Sequence, residues 1–136
     1  MSTDATSPAG TPLEPVAVKS AETTAEPELI SPALAAERVE RGALLIDVRP
    51  EKYLATEGST SAATWVDRNR MADQFIAGGA DFLGDAADPD REIVVMCGSV
   101  NGSGPMAKWL LENGHTNVSH VDGGFSAWRD AGLPTA

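Results

Sequence analysis

The sequence predicts an α/β domain of three layers, with a central, mostly parallel sheet and helices on both faces. Three observations carry that prediction. Ile93–Met96 is a short continuous apolar run, and Leu44, Leu45, Ile46 and Val48 mark a second apolar strand; both read as strands buried on both faces. Segments with helical spacing separate these runs from each other and from Val118–Val121, the alternation that produces parallel pairs with crossover helices. Arg49, Cys97 and Asp122 each follow a predicted strand, and ligand sites in such sheets open at the carboxyl ends of strands.

Taken in order, residues 1–28 are rich in Ala, Thr, Ser, Pro and Glu and contain no aromatic residue. Such a composition cannot bury enough surface to order itself, so a disordered acidic tail is expected, with a partner-binding arm as the alternative and the domain running over 29–136. Ser31 before Pro32 reads as a helix N-cap with proline at the first helical position, and Leu34, Ala35 and Val39 give that helix an apolar stripe up to Gly42. After the Leu44–Val48 strand, Glu51–Ala55 predicts one or two helical turns, and Ala62–Val66 a brief strand. Asp67 is expected to cap a helix whose inner face is Met71, Phe75 and Ile76, with Arg68 and Arg70 in its first turn. Gly78–Pro89 reads as loop or short helix. Beyond the central strand, Gly98–Ser103 is expected to be a loop, Pro105 to lie in the first turn of the next helix, and Asn113–Gly114 to end it. Val118–Val121 is the last strand, Asp122–Gly124 a turn, and Phe125–Ala131 the closing helix.

Composition narrows the function classes. A chain of 136 residues predicts one domain, and its net charge of −10 argues against a nucleic-acid or anionic-membrane surface. One cysteine makes no internal disulfide, which fits a reducing, cytoplasmic compartment. The amino terminus shows no basic segment followed by an apolar run, so no secretory signal is expected. No stretch approaches the length that spans a bilayer.

The chemistry points to Cys97. A cysteine at the end of a buried strand, before a glycine-rich turn that feeds a helix, meets several backbone N–H groups and the positive end of the helix dipole. Anions and thiolates are stabilised there. Asp47 and Arg49 interrupt an apolar strand; a structural ion pair is the expected explanation, and substrate contact by Arg49 the alternative. Arg68 and Arg70 are expected to be solvated charges unless they share the rim with Cys97. His120 reads as a satisfied core or rim residue, and His115 as exposed. Trp65, Trp109 and Trp128 lie on separate elements and are expected to pack the core or rim. No zinc ligand set is present.

IDVRP at Ile46–Pro50, the strand-cysteine-turn-helix of Ile93–Leu111, and above all DGGFSAWRDAGLP at Asp122–Pro134 resemble the single-domain rhodanese family, over roughly Leu29–Ala136. The resemblance implies a rhodanese-like fold and a sulfurtransferase without a metal or cofactor. Cys97 would take a sulfane sulfur from a small donor such as thiosulfate, become a persulfide, and pass the sulfur to cyanide, a thiol or a protein acceptor. It implies that the backbone of Gly98, Ser99, Val100, Asn101 and Gly102, together with Ser103, cradles the persulfide or donor. Each such hydrogen bond to an anionic sulfur supplies about 1.5–3 kcal/mol, so several stand in for a cationic side chain. Gly102 occupies the position where many members carry an arginine, and Val100 one where glycine is common. EGSTSAA at Glu57–Ala63 replaces the usual Gly-His-Ile-Pro-Gly-Ala segment, so the pocket entrance is expected to differ. Loss of the loop arginine predicts poorer use of thiosulfate, and Gly102→Arg is expected to raise it. Two other readings compete: a non-catalytic rhodanese-like binding module, and a cysteine phosphatase or arsenate reductase. The last would need an arginine where Ser103 stands.

Overall fold

The computed structural model describes residues 26–135. Five short strands form its sheet: β1 (Glu28–Ile30), β2 (Leu44–Asp47), β3 (Ala63–Trp65), β4 (Ile93–Met96) and β5 (Val118–Val121). They pair in the order β1-β5-β4-β2-β3, every pair parallel, with Ile46 opposite Val95 and Val95 opposite His120. Between them run α1 (Pro32–Glu40), α2 (Lys52–Glu57), α3 (Met71–Phe75), α4 (Val100–Glu112) and, at the end, α5 (Gly124–Asp130). No helix among the described residues is long and apolar enough to cross a membrane.

Strand parity divides the core into two layers, because successive side chains leave a strand on opposite faces. Leu44, Ile46 and Val48, with Ile93, Val95 and Cys97, pack with Met71 and Phe75 of α3 and Ala107 and Leu110 of α4. Leu45, Val94 and Met96 face the other way, onto Ala35 of α1 and Phe125 and Trp128 of α5. The apolar character of both strands follows from this: both faces of β2 and β4 are covered, and all four residues of each strand are buried, Asp47 included.

Several local expectations are corrected. The tail boundary at residue 28 falls inside β1, since Glu28 pairs with Ser119 in the sheet; residues 1–25 lie outside the described residues. Only Ile30 of that edge strand is buried, so no apolar run marked it. Ser31 does cap α1, accepting from the Leu34 N–H at 3.1 Å. Asp67 caps no helix: its carboxylate accepts from the Asn69 N–H at 2.9 Å, closing an Asx-type turn, and α3 starts only at Met71. Arg68 and Arg70 therefore lie in the connection before α3, not in its first turn. The α4 helix starts at Val100, so Gly102 and Ser103 are helical and Pro105 sits inside the helix. His115 is not exposed but buried against Phe75, ring centroids 5.9 Å apart and edge-on.

Candidate active site

The carboxyl ends of β2 and β4 and the start of α4 enclose a cleft of about 540 Å³. Cys97 is at its floor, 5% exposed, one residue past β4. One wall is Gly98, Ser99, Asn101 and Gly102; Arg49, Tyr53, Glu57 and Arg68 stand on the others.

The backbone of Cys97 is fixed by the turn that opens α5. Gly123 and Gly124 both take positive φ, +80° and +64°. A Cβ on Gly124 would overlap the carbonyl oxygen of Cys97 and come within 2.7 Å of Gly98 C. Only glycine allows that approach, and through it the N–H of Phe125 donates to the carbonyl of Cys97 at 2.7 Å. The DGGF sequence is thus a wedge against the peptide of the nucleophile candidate.

At the N-terminus of α4 the first amides have no carbonyl of a preceding turn to bond. The N–H groups of Gly102 and Ser103 both turn back to the carbonyl of Ser99, at 3.1 and 3.2 Å. No backbone carbonyl among the described residues takes the amides of Gly98, Ser99 or Asn101. Val100 contributes the first residue of the helix. Ser103 departs from its expected place in the cradle: fully buried, it is absent from the cleft wall and its Oγ lies 2.9 Å from His120 Nδ1 on β5. A serine that begins the second turn of the helix points back into the sheet, and a loop reading of Gly98–Ser103 concealed this. Burial holds the His120 imidazole below its ordinary range, with the Asp122 carboxylate pulling the other way.

Arg49 makes the expected ion pair and also borders the cleft. Its Nε and Nη2 reach the Asp47 carboxylate at 3.0 and 2.7 Å, and Nη2 also donates to the carbonyl of Gly58 at 2.8 Å. Its guanidinium stacks on the Phe125 ring, 3.9 Å from the centroid. Its Nη1 is buried without a hydrogen bond, 3.7 Å from Glu57 Oε1, while the residue lines the cleft. The Trp65 indole donates to the Arg49 carbonyl at 2.8 Å, as a packing residue on the rim.

Two residues beyond the expected site also matter. Gln74, buried on α3, donates to the carbonyls of Asp67 and Arg70 at 2.8 and 2.9 Å and accepts from the Asp67 N–H at 3.1 Å. It staples the turn that carries Arg68. Glu57, at the end of α2, brings a carboxylate to the cleft. Neither had a sequence signal, since both act through contacts made only after folding.

A parallel α/β domain presenting a cysteine between a strand end and a helix N-terminus defines a class of enzymes that carry groups on sulfur. The rhodanese-like domain model matches residues 31–131, and the chain belongs to that family. A thiosulfate sulfurtransferase GlpE from Pseudomonas aeruginosa (strain LESB58) is 35% identical over 100 residues, which cover 74% of this chain and 82% of the relative. Among solved structures, a possible tyrosine phosphatase of unknown function from Rhodopseudomonas palustris CGA009 superposes with a TM-score of 0.74 at 23% identity, covering 85% of this chain and 89% of the other. The polysulfide-sulfur transferase homodimer of Wolinella succinogenes gives 0.66 at 24%, covering 85% and 82%. The two structural likenesses bear on the fold, which is rhodanese-like with a five-stranded parallel sheet.

Proposed function

We propose that the chain is a sulfurtransferase that carries sulfane sulfur as a persulfide on Cys97, from a small anionic donor such as thiosulfate to a thiol, on a small molecule or a protein. The observation that carries this reading is the placing of Cys97 at the floor of the cleft, beside amides left unspent at the start of α4. The Cys97 thiolate attacks the outer sulfur of the donor; a new S–S bond forms, the old one breaks, and its electron pair leaves with sulfite. A thiolate acceptor then attacks the outer sulfur of the persulfide and returns Cys97 to the thiolate. Among the described residues no N–H donates to Cys97 Sγ itself, so the amides of Gly98, Ser99 and Asn101 are available to the terminal persulfide sulfur. Donors to that anion act where charge is held, which is where preorganised dipoles are most effective. A lone cysteine that must stay reduced suits a reducing compartment such as the cytoplasm.

The test is direct. Incubation with thiosulfate or inorganic polysulfide should add one sulfur to the intact mass of the wild type and none to Cys97→Ser. An unchanged mass in both would leave a binding module as the better reading. A phosphatase reading gains no support from the helix, because Ser103 stands where an oxyanion-gripping arginine would be needed and its hydroxyl is engaged with His120.

A further inference from the structure

Gly102 leaves the helix wall without a cation, and the opposite wall supplies one. We propose that Arg68 is the oxyanion-binding residue of this site, gripping the sulfonate end of a dianionic donor and the sulfite that leaves; the proposal rests on the sulfurtransferase reading and names its donor subsite.

Geometry carries the assignment. A Cβ on Gly102 would overlap Cys97 Sγ and stand 3.8 Å from Arg68 Nη1. Sulfur and guanidinium thus face each other across a gap that the missing side chain of Gly102 keeps open. Arg68 lines the cleft, is half-buried, and has no carboxylate partner among the described residues. Its neighbour Arg70 contrasts with it, paired to Asp73 at 3.3 Å and to Asp81 at 2.6 Å. The turn bearing Arg68 is held by the Gln74 hydrogen bonds, by the Asp67 side chain on the Asn69 N–H, and by the Arg70 N–H on the Asp67 carbonyl at 3.0 Å. A rigid mount lowers the cost of orienting a long side chain on binding.

A second observation points to an anion in the same space. Arg49 Nη1 is buried without a hydrogen-bond partner, although Arg49 is 1% exposed and borders the cleft. The Glu57 carboxylate, 3.7 Å from that nitrogen, is beyond hydrogen-bond range. A buried guanidinium N–H left unsatisfied is rare, and a ligand oxygen would satisfy it. Planar guanidinium groups suit the oxygens of a sulfonate as they suit carboxylates and phosphates. When the Cys97 thiolate attacks the outer sulfur of thiosulfate, two negative charges stay with the sulfite that departs. Arg68 holds those charges during bond exchange, the service an arginine at position 102 would perform in other members of the family.

The experiment compares wild type, Arg68→Gln and Arg68→Lys, with matching circular dichroism spectra and melting temperatures as the control for folding. The thiosulfate KM should rise at least about tenfold in Arg68→Gln, the range set by a charge-assisted hydrogen bond, and recover in part in Arg68→Lys. The acceptor KM should not move. Sulfate, an unreactive dianion, should inhibit competitively against thiosulfate and lose potency by a similar factor in Arg68→Gln. Equal thiosulfate KM and equal sulfate inhibition in wild type and Arg68→Gln would overturn the assignment. If neither thiosulfate nor polysulfide loads Cys97 of the wild type, the sulfurtransferase reading falls on its own. Calorimetric binding of sulfate then decides Arg68: weaker binding by Arg68→Gln upholds the oxyanion site, and equal binding overturns it.

Discussion

The N–H of Phe125 donates to the carbonyl of Cys97 at 2.7 Å, and the ring of the same phenylalanine stacks on the guanidinium of Arg49 at 3.9 Å. One residue of the closing helix thereby joins the three stretches on which the family resemblance rests. Its position depends on Gly124, whose φ of +64° and contact with the Cys97 carbonyl exclude a side chain.

Gly124→Ala should therefore both strain the backbone and push the turn off the Cys97 peptide. A loss of about 2 kcal/mol or more is expected, from the left-handed conformation and the collision together. Urea unfolding measures it, and persulfide loading should fall more steeply than stability. Normal loading in a folded variant would show that the wedge does not position the sulfur.

Arg49 is held by Asp47 at 2.7 Å with both side chains almost fully buried. Arg49→Met would keep much of the volume but leave the Asp47 carboxylate buried without its partner. A cost of about 3–5 kcal/mol is expected from breaking such a pair. The double variant Asp47→Asn with Arg49→Met should recover part of it, read as a shift in the urea midpoint.

The sheet was legible because its signal is local: the short apolar runs Leu44–Ile46 and Ile93–Met96 have few alternatives to strands covered on both faces. Cys97 was legible for the same reason, as the residue at which such a run ends. Edge strand β1 was not, because a strand that buries only Ile30 carries almost no pattern. The start of α4 was misplaced because glycines and serine at 102–104 are poor helix formers, and tertiary packing overrode propensity there. Arg68 and Arg70 look alike in sequence; only the fold sets Arg70 against two carboxylates and Arg68 on the cleft that Cys97 lines. Ser103 was read as a loop residue when helical phase aims it at His120.

The contact at Gly102 reverses an expectation. Restoring an arginine there by Gly102→Arg looked like a gain of charge, yet its Cβ would overlap Cys97 Sγ. Both Gly102→Ala and Gly102→Arg should therefore lower the rate of sulfur loading, roughly tenfold or more if the sulfur is displaced by even about 1 Å. Stopped reactions followed by intact mass give that rate. A faster Gly102→Arg would mean that the first turn of α4 yields easily.

Glu57 places a carboxylate 3.7 Å from Arg49 Nη1, at the mouth of the cleft that is to admit an anion. Removing that charge by Glu57→Gln should tighten donor binding, lowering the thiosulfate KM severalfold at low salt, with the difference shrinking as ionic strength rises. Because the Glu57 side chain is 44% exposed, stability should change little. A KM that rises in Glu57→Gln would assign the carboxylate a positive part in binding.

The two histidines set a pH limit on the fold. Burial lowers the His115 imidazole below its ordinary 6.5, against a backbone hydrogen bond at Phe75, and burial lowers His120 likewise, against the Asp122 charge. Below 6.5 the unfolded chain binds protons that the native chain refuses, so stability falls with pH until the native histidines titrate. Above 6.5 both states are neutral at these sites and the histidines add no slope. Carboxylates act lower down: Glu28, held below 4.5 by its hydrogen bond and charge pairing with Arg38, contributes stability that is lost as pH falls from 4.5. Melting temperature should therefore drop as pH is lowered from about 6.5 toward 5, ahead of any carboxylate effect. In the double variant His115→Gln with His120→Gln that slope should flatten, whatever its absolute stability. An unchanged slope in the double variant would place the acid sensitivity elsewhere in the molecule.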